Sequence, residues 1–346
     1  MTNTQSSSRP PADRRSLVLR LLIAALLLII IFTMKAELGE TLRLMARTHI
    51  GWLAAAFALL IAGQALSIWK WKLLLRGAGS HVGFWLLVRA SFIGLFYNNF
   101  LPGSVGGDVA KLMLVQAHTA GRARAAASIF MQRNTGVAGL LLLGLPVALI
   151  HPVRLSFFPM PFLALNNMAT WFAVAAAGYV AINALMLSRR TYARLWKYLA
   201  RPEGGSPRLR HRLAEKVQRL HASLLLFRAT LKSALVLSVV TQLLDCVIAY
   251  CVGLGLGIEL PFTFYLVCVP LITLAQLIPI TLNGLGLREA LYLLLMGSAG
   301  VSPEAATGLS LLTFGLGFML SLTGGLLLLR PKHSASSSRS HTGSPR

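Results

Sequence analysis

The chain has 346 residues, 55% of them hydrophobic and only 12% charged, with several uninterrupted apolar runs of spanning length. That composition excludes an ordinary soluble domain and marks a polytopic membrane protein. The formal charge of +23 would suggest nucleic acid in a soluble chain, but most Lys and Arg lie in tails and loops between apolar segments. The positive-inside rule and attraction to anionic headgroups account for that distribution, and no nucleic-acid partner is expected.

Residues 1–16 are polar and basic and read as a disordered cytoplasmic tail. Leu17–Phe32 is the first apolar run; no small-residue cleavage site follows it, so it reads as an uncleaved span. Residues 35–49 carry mixed charge and read as a loop or an interfacial helix. Gly51–Trp69 is the second span, with Trp69 and Trp71 placed as an aromatic belt and Lys70, Lys72 and Arg76 marking a cytoplasmic end. Gly83–Leu101 runs apolar into a glycine-rich break, and Val109–Gln116 is a short helix beyond it. Ala125–Ile150 is a long span carrying Gln132, Arg133 and Asn134 near its start. A proline-rich connection then leads to the span Met168–Leu187. The stretch 188–230 is the largest polar segment and strongly basic, which places it in the cytoplasm. Leu231–Ile258 spans outward with Gln242 and Asp245 on one face, read as groups that hold helices together. Phe262–Ile278 leads into a second break, Leu287–Ser298 follows it, and Pro303–Leu329 is the last span. Residues 331–346 form a second basic tail. The membrane domain is therefore 17–330, with both termini cytoplasmic.

The two breaks organise everything else. Asn98-Asn99-Phe100-Leu101-Pro102-Gly103-Ser104-Val105-Gly106-Gly107-Asp108 and Pro279-Ile280-Thr281-Leu282-Asn283-Gly284-Leu285-Gly286-Leu287-Arg288-Glu289 share one formula: apolar helix, Pro, Gly, then a carboxylate. Backbone that leaves a helix within hydrocarbon is tolerated only where protein or a water-filled cavity covers it. An intramembrane carboxylate is costly and by default functional. Three spans lie between the two broken pairs, an odd number, so the pairs have opposite orientation. Inverted repeats with interrupted segments in matching positions point to a transporter site. The fold class expected is an all-α polytopic membrane helix bundle with two broken or re-entrant segments in inverted repeat.

Each polar group has a binding reading and a structural one. Gly103, Gly106 and Gly107 let backbone N–H groups converge ahead of the helix that Asp108 opens, a place for a phosphate. Alternatively Asp108 caps that helix and pairs with Lys111. Arg133 either meets a headgroup or a carboxylate, or snorkels to the surface. Arg288 and Glu289 form an interfacial ion pair, or Glu289 is a protonatable group. Asn98, Asn99 and Asn283 supply uncharged hydrogen bonds beside the breaks. Cys246, Cys251 and Cys268 have neither zinc nor disulfide spacing, and no nucleotide or hydrolase motif is present. No cofactor or metal is expected.

The motifs at 99–108 and 279–289 resemble the paired motifs of the flippase-like membrane domain family, known from the membrane region of lysylphosphatidylglycerol synthetases. The resemblance covers roughly residues 17–330. It implies an inner-membrane protein tied to lipid translocation, and it carries Asp108 and Glu289 over as motif carboxylates with the surrounding Asn98, Asn99, Pro102, Gly103, Gly106, Gly107, Pro279, Asn283, Gly284 and Gly286. Lys111 stands where that family usually has Arg, and Gln132 precedes Arg133 where an Asp is common, which argues against a charge pair there. After Leu329 only a basic tail follows, so synthesis of aminoacylated lipid is not expected of this chain.

Together these features lead to an expected translocase of lipids or lipid-linked carriers in the bacterial inner membrane, acting on anionic membrane lipids. Both breaks would line one polar cavity, with Asp108, Lys111, Arg133, Arg288, Glu289 and the Asn residues around the headgroup. An intramembrane transferase acting on a lipid phosphate, and a non-catalytic partner of a lipid-modifying enzyme, are the alternatives.

Overall fold

The computed structural model describes residues 36–100, 105–150, 167–187, 226–278 and 284–329, with scattered positions between 22 and 33. The first predicted span, most of the basic 188–230 segment, both tails and Pro102, Gly103, Pro279 and Asn283 lie outside the described residues. Among those described, the chain forms ten α-helices and no strand. They are α1 (Leu38–Arg47), α2 (Ile50–Gly77), α3 (Phe84–Phe100), α4 (Val105–Val115), α5 (Arg122–Ile150), α6 (Met168–Leu187), α7 (Leu231–Gly255), α8 (Phe262–Ala275), α9 (Leu287–Gly297) and α10 (Pro303–Leu329). The protein is an all-α membrane bundle, as its composition requires. Four helical stretches of 27–30 residues are apolar enough to span; at 1.5 Å per residue they reach about 40–45 Å, more than the roughly 30 Å hydrocarbon core.

In chain order the helices form two sets of five, α1–α5 and α6–α10, that interlock. At the centre α2 lies on α7; α3 packs on α10 as α8 packs on α5; α4 and α6 meet α5 as α9 and α1 meet α10. Along the central pair Gly77 abuts Thr230, Gly63 faces Leu244 and Gly255 abuts Trp52, so α2 and α7 run antiparallel. Equivalent helices pointing in opposite directions are the mark of an inverted repeat, in agreement with the sequence.

The helices on either side of the first break, α3 and α4, pack antiparallel as the two arms of a hairpin. Gly94 of α3 packs against both Gly107 and Lys111 of α4, and the Gly107 N–H donates to Asn98 Oδ1 at 2.9 Å. The returning arm α4 has 11 residues, about 16 Å, half the depth of the hydrocarbon core. At the second break, Gly284 (φ 76°) fits against the Gln276 side chain at the end of α8, and α9 returns over 11 residues.

Two of the boundaries that differ from the sequence reading bear on the site. Helix α2 continues beyond Trp69 to Gly77, because Lys70 and Trp71 turn inward instead of ending the span: both are buried. Helix α4 starts at Val105 rather than Val109, so Asp108 lies in its first turn and not at its opening. Its glycines are tolerated inside a helix because Gly107 lets α4 touch α3, where a Cβ would run into the Gly94 carbonyl.

Small residues set the helix crossings, as expected where lipid gives no hydrophobic drive between helices. A Cβ at Gly324 of α10 would collide with the Phe92 carbonyl of α3, whereas one at Gly317 would meet nothing within 4 Å. Gly324→Ala is expected to lower stability by about 1–3 kcal/mol, the usual cost of overpacking. Gly317→Ala should leave the thermal unfolding temperature in detergent unchanged or slightly raised.

Candidate functional site

A polar cavity of about 300 Å³ lies inside the bundle between α2, α3, α4, α5 and α7. Each wall follows from helical periodicity on an otherwise apolar helix. On α2, Gln64, Ser67 and Lys70 are three apart and share a face. On α7, Gln242 and Asp245 do the same, and on α4, Asp108 and Lys111. Helix α5 contributes Gln132 and Arg133, and α3 contributes Asn98.

The hairpin is tied to α5 through charge: the Asp108 carboxylate pairs with the Arg133 guanidinium. Their side chains are 20% and 39% exposed, open enough for a ligand to reach both. Arg133 thus has a carboxylate, supplied by α4 rather than by position 132, and the departure at Gln132 does not remove the charge pair. Gln132 serves instead as a strut, its Nε2 donating to the Ser67 carbonyl at 3.1 Å and to Ser67 Oγ at 3.2 Å. Lys111 does not take Asp108 in a direct ion pair; its Nζ sits over the Trp71 ring, 5.5 Å from the centroid. The Trp71 indole is held by donating to Ser128 Oγ at 3.0 Å.

Lys70 is the residue the sequence reading misplaced. It is 4% exposed, and its ammonium donates to Ser238 Oγ at 3.0 Å and to the Gln132 carbonyl at 3.3 Å, joining α2, α7 and α5. Asp245, read as a helix tether, lines the same cavity as Lys70. The signal available in the sequence was the stripe Gln64, Ser67, Lys70 on a spanning helix. The cavity thus carries three cations (Lys70, Lys111, Arg133) against two carboxylates (Asp108, Asp245), a formal excess of one positive charge.

The other predicted residues fall elsewhere. Asn99 turns away from the cavity, donating to Ser321 Oγ of α10 at 2.6 Å. Gly106 lies on the far side of α4 and lines a separate groove. None of the described residues of the second break lines the polar cavity, and Pro279 and Asn283 of that break lie outside the described residues. Glu289 is fully buried. One carboxylate oxygen accepts from the Gly286 N–H at 2.6 Å; the other accepts from Arg288 Nη2 at 2.5 Å and from Ser310 Oγ at 3.1 Å. Arg288 also donates from Nε to Ser310 Oγ at 2.9 Å and lies over the Phe314 ring. Gly284 and Gly286 have φ of 76° and 78°, the left-handed values that only glycine adopts freely. They set the turn that lets Glu289 reach back to cap α9. This is a closed ion pair buried within the protein. Among the described residues no three His, Cys, Asp or Glu side chains gather to hold a metal ion.

Comparison with known proteins agrees with this architecture. The family profile described as "Lysylphosphatidylglycerol synthase TM region" matches residues 17–325. A relative named as a UPF0104 membrane protein of Pyrococcus horikoshii is 22% identical over 325 residues, covering 90% of this chain and 96% of that protein. No solved structure matches. With a profile match that includes both breaks and reaches into the last helix of the bundle, the chain belongs to the lysylphosphatidylglycerol synthase transmembrane-region family.

Proposed function

We propose that this membrane protein translocates lipids or lipid-linked carriers with anionic headgroups, using the polar cavity as the headgroup site. The observation that carries this reading is the cavity's charge: three cations and two carboxylates gathered in one space among mostly apolar helices. Intramembrane charge of this kind is expensive unless it serves a substrate pathway. The net excess of one positive charge favours a phosphate-bearing headgroup over a cationic or neutral one. About 300 Å³ is at the lower end of small-ligand sites; it suits a headgroup but not the acyl chains, which would remain in lipid. Helix α4 and the antiparallel α2–α7 pair form the walls, so movement of the two inverted sets of helices against each other would expose the cavity to either leaflet in turn. The basic loops support a reading in which the protein sits in the bacterial inner membrane with both termini cytoplasmic.

Two carboxylates in one cavity, Asp108 and Asp245, also suit proton transfer, which favours a transferase acting on a lipid phosphate as the second reading. Proteoliposomes with headgroup-labelled lipids separate the two. A translocase moves anionic lipid between leaflets faster than protein-free vesicles do and faster than zwitterionic lipid, and leaves its mass unchanged. A lipid product of altered mass would replace transport with the transferase reading. An equal rate for anionic and zwitterionic lipid would remove the headgroup assignment.

A further inference from the structure

The polar cavity occupies only one face of α4. The opposite face presents Gly106, Val109, Ala110 and Met113, at the i, i+3, i+4, i+7 spacing of a helical stripe, to a groove of about 370 Å³. Ile93 and Tyr97 of α3 form the floor of this groove and Leu328 near the end of α10 closes it. Val109 and Met113 are 43% and 56% exposed, so the groove opens outward to the bilayer rather than inward. Helix α4 is therefore a wall with the polar cavity on one side and an apolar groove on the other.

One residue does not fit an apolar groove. Arg89 of α3 lines it, its Nε is buried without a hydrogen-bond partner, and no carboxylate lines the groove with it. The hairpin is antiparallel, with Gly94 against Lys111, so Arg89 lies level with the C-terminal end of α4. That is the end of the bundle where Arg76 closes α2, and where Arg122 and Arg124 open α5. The guanidinium is thus at the basic rim, where headgroups of one leaflet lie, and the apolar part of the groove runs from it towards the hairpin tip. Between Arg89 and Tyr97 the floor extends about 12 Å at 1.5 Å per residue, running along the membrane depth as an acyl chain does.

A half-buried, unpaired guanidinium calls for an anion, and its planar fork suits a phosphate. We propose that the groove between α3, α4 and α10 is a binding site for a phosphate-bearing membrane lipid from the leaflet at the basic rim. Arg89 holds its phosphate, and one acyl chain lies along Ile93, Val109, Ala110 and Met113. The bound lipid completes the outer packing of α4. This site stands apart from the cavity and does not depend on transport through it.

The test is photolabelling of the full-length protein in vesicles with two probes that differ only in the phosphate: phosphatidic acid and diacylglycerol carrying the same diazirine acyl chain. Phosphatidic acid is expected to label residues 106–114 at least about fivefold more than diacylglycerol, a discrimination within reach of one charge-assisted contact. Arg89→Gln should bring the two probes level, and Arg89→Lys should keep part of the preference. Ala110→Phe, which fills the groove and leaves Arg89 in place, should reduce labelling by both. Equal labelling of the wild type by the two probes, or a preference unchanged in folded Arg89→Gln, would overturn the phosphate site. Undiminished labelling in Ala110→Phe would overturn the placement of the chain. None of these readouts requires translocation, so the site can fail while the transport reading survives, and the reverse.

Discussion

Movement of headgroup-labelled anionic lipid is expected to slow by at least about tenfold in Asp108→Asn, equivalent to about 1.4 kcal/mol on the barrier. The amide keeps the shape of the side chain but leaves Arg133 facing the cavity with no carboxylate from α4. Two consequences follow. Helix α4 loses its charged tether to α5, and an Arg133 whose charge Asp108 no longer offsets holds a phosphate too tightly to release it. Binding of the anionic lipid should therefore persist or strengthen while turnover falls. Comparing retained lipid with the rate of leaflet exchange, at equal reconstitution, checks both. Wild-type rates in a folded Asp108→Asn protein would remove Asp108 from the mechanism.

Glu289→Ala is expected to act on folding instead. The substitution leaves Arg288, whose side chain is 11% exposed, with its charge uncompensated, and takes away the acceptor for the Gly286 N–H. Breaking one side of a buried ion pair costs about 3–5 kcal/mol, whereas replacing both partners with apolar groups of similar volume is often neutral. Thermal unfolding in detergent should show a large drop for Glu289→Ala and for Arg288→Leu. The double substitution Arg288→Met with Glu289→Leu should lie closer to the wild type than either single change. A Glu289→Ala protein that unfolds at the wild-type temperature would show that the capping pair does not hold α9. The two motif carboxylates look alike in sequence, and these outcomes would separate one that faces the cavity from one that fastens a helix.

The sequence alone determined the class of fold, and for identifiable reasons. Bilayer thickness fixes how long an apolar helix must be, so Met168–Leu187 and Pro303–Leu329 were read with the bounds the structure gives them. Pro and Gly inside apolar runs placed both breaks, because backbone leaving a helix in lipid needs those residues and cover from protein. An odd number of spans between the breaks gave the inversion that the antiparallel α2–α7 pair displays.

What tertiary structure decided was which polar groups face one another. Lys70 looked like a charge ending a span, since a run of Trp and Lys is what a membrane interface usually carries. It is buried only because Ser238 and the Gln132 carbonyl, distant in sequence, come to meet it. Asp108 and Glu289 occupy matching places in two similar motifs, yet one pairs across to α5 beside a cavity and the other closes on its own turn. Local spacing specifies which face of its own helix a side chain occupies. It does not specify which helix that face will meet, and in this protein the partner helix separates a candidate ligand-binding group from a structural one.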